Sequence, residues 1–322
     1  MSRVLIVDER DSDLADRRLP QVVDLYASSD HSIDLIESTG STIAEIDTRI
    51  ARLGCASDPK LFPGIARRMH QTAPYALLHR IGEPETIERW DGLDGVCQII
   101  QTHGPCHLSV QADKKPDIVL TACENGRKAY GNAGFFTLRL PLRVPQRASL
   151  RSQKGRRIGW WGRWDISRAN GWVSLIDAFI ENEICPDMKV MLLGPGADGV
   201  MLPSNMRAAK RARANSSALR ALDLAVLPSD EIWLEEEILT ALVHGVPVLA
   251  LSGAVAAFED RWRLPVANDL SELARLVDYS LDASGGTRPS LQSDLEATLS
   301  EIRRDVRVME AYVMAEVNKR IA

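Results

Sequence analysis

The chain has 322 residues, and 39 basic against 44 acidic side chains give a net charge of -5. That length exceeds one typical core and suits two domains of ordinary size. Hydrophobic residues at 45% and charged residues at 26% exclude extensive disorder, and the interspersed charges exclude a global basic field for nucleic acid.

The opening RVLIVD (residues 3–8) is a short β-branched run of the kind that a parallel sheet buries on both faces. It meets an acidic residue too soon to be a signal peptide or a membrane span. SIDLIE (32–37), YALLHR (75–80), VCQIIQTHG (96–104) and DIVLTACE (117–124) repeat the rhythm. The intervals leave room for helices, one of them expected over 41–53. Such alternation predicts βαβ units in a doubly wound α/β sheet. LPLRVPQRASLRSQKGRR (140–157) loses the periodicity to proline and basic residues and reads as a linker.

A second α/β unit opens with RIGWWGR (157–163) and continues through KVMLLG (189–194), LAVLP (224–228) and VPVLAL (246–251), with helices expected at 171–181, 217–221 and 235–244. Residues 241–258 carry no Asp, Glu, Lys or Arg, but His244, Gly245, Pro247 and Gly253 divide them into helix end, strand and turn. From 293 to 321, Leu299, Ile302, Val306, Met309, Val313 and Val317 fall at spacings of three and four, the signature of one amphipathic helix. The expected domains are thus 1–145 and 157–285, with a linker at 146–156 and a terminal helix in 286–322 packing back across them. Cys55, Cys97, Cys106, Cys123 and Cys185 show no C-x-x-C spacing and read as reduced packing residues of a cytoplasmic chain.

Four collinear segments of the second half resemble the C-terminal domain of a GT-B glycosyltransferase, close to the large retaining family 4. They are IGWWGRWDISRANGWVSLIDAF (158–179), VMLLGPGADG (190–199), ALDLAVLPS (221–229) and ILTALVHGVPVLAL (238–251). In the first half, IIQTHG (99–104) and PDIVLTACENGRKAYG (116–131) resemble the acceptor domain of that family, whose early glycine-rich loop is missing here. The resemblance implies two Rossmann-like sheets facing a cleft. One would hold a nucleotide-sugar donor and the other a glycan, lipid-linked or protein acceptor, with no metal or other cofactor. Ligands of such open sheets sit outside the carboxyl ends of the strands, where helix N-termini and glycine turns present N–H groups to phosphate.

Carried over residue by residue, Arg163 takes the place of the family's diphosphate-binding arginine. The lysine that follows it is replaced by Asn170 when aligned from the helix, or by Arg168 when counted forward from Gly162. Gly194, Gly196 and Ser229 complete the expected donor edge. The family's pair of donor-gripping glutamates is absent, since Ile232 and Thr240 hold those positions and Trp233-Leu234-Glu235 replaces the loop between. Glu231 beside the first position and the Thr240 hydroxyl at the second are the substitutes. Glu235, Glu236 and Glu237 read as first-turn acids favoured by the helix dipole. His103, with His79 and His107 behind it, is the acceptor-side candidate for proton transfer; its bland alternative is a strand-end cap. The three histidines lack an i, i+4 pair and do not read as a metal site.

Six of the tryptophans lie between 160 and 262; they read either as core or as stacking surfaces for a base or sugar. The basic run 206–220 reads as a solvated helix face or a contact for an anionic acceptor. RVLIVDERDSD also resembles the start of a receiver domain, but Thr121 or Ala122 stands where its phosphoacceptor aspartate belongs. The remaining rival is a GT-B protein without transfer activity that serves as a protein-binding scaffold, because fold alone does not fix function. No integral membrane segment is expected; the inner face of a membrane is the alternative location to free cytoplasm.

Overall fold

The computed structural model describes residues 2–9, 18–29, 31–38, 51–55, 58–82, 87–102, 111–122, 124–141, 143, 156–161, 166–184, 188–194, 197, 207–211, 216–229, 238, 240–242, 244–255, 264–281 and 289–321. The chain forms two compact units. Unit 1 contains Met1–Ser12, Asp16–Arg143 and Arg304–Ala322, and unit 2 contains Asp13–Ala15 and Val144–Arg303.

Unit 1 is built on a seven-stranded sheet of β1 (Arg3–Asp8), β2 (Ser32–Ser38), β3 (Ala51–Cys55), β4 (Leu77–Ile81), β5 (Cys97–Thr102), β6 (Ile118–Thr121) and β7 (Thr137–Arg139), ordered β3-β2-β1-β4-β5-β6-β7. Every pairing is parallel. Alternate residues of β1 feed two layers, as a pleated strand covered on both faces requires. Val4 and Ile6 pack with Val22 and Tyr26 of α1 (Arg18–Ala27) and with Val313 and Val317 of the C-terminal helix. Leu5 and Val7 pack with Phe62 and Ala66 of α2 (Phe62–Thr72). A third cluster joins Ile100 and Val119 to Tyr130 of α3 (Glu124–Asn132).

Unit 2 repeats the scheme with β8 (Arg157–Trp161), β9 (Lys189–Leu193), β10 (Arg207–Arg211), β11 (Leu224–Leu227), β12 (Val248–Leu251) and β13 (Val266–Ala267), ordered β10-β9-β8-β11-β12-β13. These pairings are also parallel. Its helices include α4 (Ile166–Glu181), which buries Trp172, Leu175 and Phe179, and α5 (Leu270–Leu281), which buries Leu273, Ala274 and Val277; the two helices pack on each other. The last helix, α6 (Pro289–Ile321), contributes residues up to Arg303 to unit 2 and from Arg304 to unit 1. The α/β class with two doubly wound parallel sheets is therefore as the sequence led us to expect.

Two local readings need correction, and the two readings of the tryptophans are decided for three of them. The helix expected over 41–53 is wrong at its end, because Ala51–Cys55 pairs with β2 as an edge strand. The basic run at 206 onward is not a helix face at its start: Arg207–Arg211 is the edge strand β10. Charged edge strands resist pairing with foreign chains, which accounts for a strand without an apolar alternation. Trp160, Trp161 and Trp172 are each at least 98% buried and belong to the core, leaving no face for a ligand.

Candidate functional site

In each unit the strand order reverses between two neighbouring strands, β1 and β4 in unit 1 and β8 and β11 in unit 2. Such reversal points open a crevice at the carboxyl ends, where open α/β sheets bind ligands.

In unit 2 that edge is shaped by close backbone approaches. A Cβ on Gly171 of α4 would lie 2.4 Å from the Pro228 carbonyl oxygen, so only glycine lets the helix rest on the end of β11. Gly159, within β8, is equally constrained: its Cβ would meet the Met191 carbonyl oxygen at 2.1 Å. After the helical residues Thr240–Leu242, Gly245 adopts φ +71°. The Val246 amide donates to the Ala241 carbonyl at 3.0 Å and the Gly245 amide to the Leu242 carbonyl at 3.0 Å. This is a Schellman stop, after which Pro247 cannot continue the helix and the chain enters β12. The Gly-Val-Pro-Val turn thus exists to deliver β12 beside β11, where the Ala225 amide donates to the Pro247 carbonyl at 2.9 Å.

Between these elements lies a pocket of about 640 Å³ lined by Gly171, Pro228, Ser229, Leu251, Asn268, Asp269, Leu270 and Ser271. Its far wall is the start of α5. There the Asp269 carboxylate accepts from the Glu272 amide at 2.7 Å, while Glu272 accepts from the Asn268 amide and side-chain nitrogen at 2.8 and 2.9 Å. This variant of the capping box, in which the glutamate takes the amide before the cap, satisfies the helix start with the chain's own carboxylates. A wall of this kind suits hydroxyl and amide groups better than a second negative charge.

Of the donor-edge residues read from sequence, Ser229 lines this pocket. Gly194 follows β9 with φ +117° and accepts from the Ala197 amide at 3.2 Å, giving the tight turn that glycine permits. Thr240 is half-buried, and its carbonyl accepts from the His244 amide at 3.2 Å and from the His244 ring nitrogen Nδ1 at 2.8 Å. Arg168 lies on α4, with its side chain outside the described set; Arg163, Gly196, Glu231, Ile232 and residues 233–237 lie outside the described residues altogether. Asn268, Asp269 and Ser271 were missed from sequence. The signal was available: N-D-L-S-E directly after a strand spells a capping box.

At the amino end of the same sheet, Asp223 clamps β11 to β8. It accepts from the Arg157 amide at 2.9 Å, and its burial raises its pKa against the opposing pull of Arg157. This aspartate is structural.

In unit 1, Thr102 ends β5 fully buried, directly before His103; His103 and His107 lie outside the described residues. Glu124 opens α3 and receives the Arg127 guanidinium, whose Nε donates at 2.7 and 2.9 Å. That hydrogen bonding holds the Glu124 carboxyl below its ordinary value. His79, expected to stand behind His103, is instead a core residue. Its Nδ1 accepts from the Tyr26 hydroxyl at 2.8 Å, its Nε2 faces Gln101 Oε1 at 3.2 Å, and burial pulls its pKa down to about 3. It stays neutral and moves no proton near pH 7.

The β1–β4 reversal of unit 1 carries an ion pair. Arg80 meets Glu9 through Nε at 3.0 Å and Nη2 at 3.2 Å, donates from Nη1 to the Glu88 carbonyl at 2.7 Å, and lies 4.4 Å over the Trp90 ring. Glu9 directly follows the first strand, in a segment that has no glycine. Gly82 makes room for it, as a Cβ there would touch Glu9 Cβ at 3.0 Å. Among the described residues, no group of three or more His, Cys, Asp or Glu is placed to hold a metal ion, and no helix is long and apolar enough to cross a membrane.

No family profile and no curated relative matches the sequence. The architecture is that of the GT-B glycosyltransferases, as solved structures along the whole chain show. HepE of Anabaena, solved with UDP and glucose, is similar at a TM-score of 0.65 and 15% identity, with 99% of this chain and 100% of that one covered. A UDP-forming α,α-trehalose-phosphate synthase from Burkholderia vietnamiensis gives 0.66 at 12% identity over 100% and 98%. A glycosyltransferase from Rickettsia africae gives 0.63 at 12% identity over 99% and 98%.

Proposed function

We propose that this chain is a glycosyltransferase that takes a nucleotide-sugar donor at the carboxyl edge of the unit 2 sheet and passes the sugar to a glycan, lipid-linked or protein acceptor. The observation that carries this reading is the pocket beside Ser229, formed where β11, β12 and β13 end and bordered by Gly171. The solved relatives lend support, since HepE of Anabaena was crystallised with UDP-glucose as well as with UDP.

In this reading Arg163 and Arg168 neutralise the diphosphate, whose charge grows as the glycosidic bond breaks, and guanidinium suits phosphate oxygens. Gly194, Gly196 and Ser229 supply close backbone approach and polar contacts. Thr240 offers one neutral hydrogen bond where the family has a carboxylate. Glu231 contacts the sugar, and His103 receives or orients the acceptor hydroxyl. No metal takes part.

The loss of both donor glutamates, at Ile232 and Thr240, favours a second reading, in which the protein has kept the fold as a scaffold for a protein partner. Calorimetry with a panel of nucleotide sugars and free nucleoside diphosphates separates the two. Saturable heats that vanish in Arg163→Ala support transfer chemistry. Silence across the panel at millimolar ligand removes it.

A further inference from the structure

We infer that Glu9, Gly82 and Thr102 form a subsite at the carboxyl edge of the unit 1 sheet that holds an uncharged, polyhydroxylated acceptor by two neighbouring sugar hydroxyls. The inference deepens the acceptor half of the reading above and rests on it.

The three residues stand in one row. The Glu9 amide donates to the Ile81 carbonyl at 2.9 Å, and the Gly82 amide donates to the Gln101 carbonyl at 3.1 Å. They therefore lie one step beyond the pairings of Asp8 with Ile81 and of Ile81 with Gln101, beside the point where the strand order reverses. Strand faces alternate, so Glu9 continues the face of Leu5 and Val7, Gly82 that of Leu78, and Thr102 that of Ile100, all on the side of the sheet that carries α2 and α3. Neighbouring strands are about 4.8 Å apart, and the glycine leaves the middle position of the row without a side chain. The Glu9 carboxylate leans over that position, since a Cβ on Gly82 would stand 3.2 Å from Glu9 Oε2.

Thr102 is the decisive residue. It is 1% exposed, and its hydroxyl meets no hydrogen-bond partner among the described residues. A buried hydroxyl left in this way costs stability that a valine of the same shape would not, so its retention calls for a partner from outside the chain. It directly precedes His103, the residue given above to the acceptor.

The chemistry of the row defines that partner. Arg80 gives Nε and Nη2 to Glu9 and Nη1 to the Glu88 carbonyl, and its side chain is only 6% exposed, so it offers little to a second anion. A carboxylate accepts and a threonine hydroxyl does either, and their complement is a pair of hydroxyls, one donating to Glu9 and the other exchanging a bond with Thr102. A phosphate in the same place would face the Glu9 charge.

Saturation-transfer NMR of the full chain tests this, with methyl α-D-glucopyranoside, its manno and galacto epimers, and glucose 6-phosphate as probes and no nucleotide present. At least one glycoside should show saturable binding, and glucose 6-phosphate should bind no tighter. Thr102→Val should weaken that binding roughly tenfold while melting at the same temperature or higher, and Thr102→Ser should keep most of it. Gly82→Ala, whose methyl fills the middle of the row, should also lose it. Absence of binding by every glycoside overturns the inference, as does tighter binding of glucose 6-phosphate or unchanged binding in Thr102→Val. A lower melting temperature in Thr102→Val with the sugar signal intact would give the hydroxyl to a buried water, and overturns it too. Since no donor is present, silence in the nucleotide-sugar titration alongside Thr102-dependent binding here would remove the transfer reading and leave the saccharide site.

Discussion

The missing Cβ of Gly171 and the carbonyl oxygen of Pro228 stand 2.4 Å apart, so the helix after β8 and the end of β11 are fixed to each other at the candidate donor pocket. An alanine at 171 would be the better helix former by about 1 kcal/mol, yet it must displace backbone rather than a flexible side chain. We expect Gly171→Ala to cost about 2 kcal/mol of unit 2 stability in urea unfolding, the scale of an overpacked core, and to weaken any ligand bound beside Ser229. An unchanged urea midpoint would show that α4 does not press on Pro228.

Protonation of His79 should destabilise unit 1 in mild acid. Its folded pKa, about 3, lies below the ordinary value of 6.5, so the unfolded chain binds the proton more readily. The contribution is fully present above the unfolded value and is lost as pH falls from there toward the folded one. Between pH 7.5 and pH 5 the loss should be about 2 kcal/mol, from 1.36 kcal/mol per pH unit below the unfolded value. Urea midpoints of the native chain and of His79→Gln, compared at the two pH values, check this: the variant should lose the part of the slope that His79 supplies.

The Glu9–Arg80 pair is nearly buried, with side chains 13% and 6% exposed. Removing one partner leaves a charge with no solvent to take it up. Glu9→Ala should cost roughly 3 kcal/mol or more, while Glu9→Leu with Arg80→Met should recover much of that loss, because paired charges of this kind often gain little over an apolar filling. A double-mutant cycle by chemical denaturation measures the coupling. Additive effects would mean the pair is solvated and does not order the β1–β4 crevice.

At the pocket wall, Asp269→Ala should cost about 1 kcal/mol through loss of the cap, and Asp269→Asn only a few tenths. Hydrogen exchange at the first turn of α5 reads this locally. Equal protection in the two variants would count against the capping box.

The central strands were legible because they are buried on both faces: Val4 to Val7, Ile99 and Ile100, Ile118 to Leu120, and Leu224 to Leu227 are short apolar runs that no exposed element would carry. The edges were not. Ala51–Cys55, Arg207–Arg211 and Thr137–Arg139 pair on one side only and carry arginine and threonine, so local pattern says little about them. The same division holds at the site. Ser229 was legible from its Pro-Ser setting after a buried strand, and the Gly245 stop from its Gly-x-Pro turn. Asn268 and Asp269 reach the pocket only because β13 joins the sheet next to β12, a tertiary fact that a two-residue strand hardly announces. His79 misled for a related reason: a histidine near the end of the run YALLHR looks available until Tyr26 and Gln101 are found on either side of it.

The central claim is that the carboxyl edge of the unit 2 sheet receives a nucleotide sugar despite Ile232 and Thr240. Calorimetric titration of the full chain with UDP-glucose, other nucleotide sugars and their free diphosphates tests it most directly. The account predicts one saturable site for at least one member of the panel, lost in Arg163→Ala and weakened in Gly171→Ala. No heat from any member at millimolar concentration, with the chain folded, would contradict it.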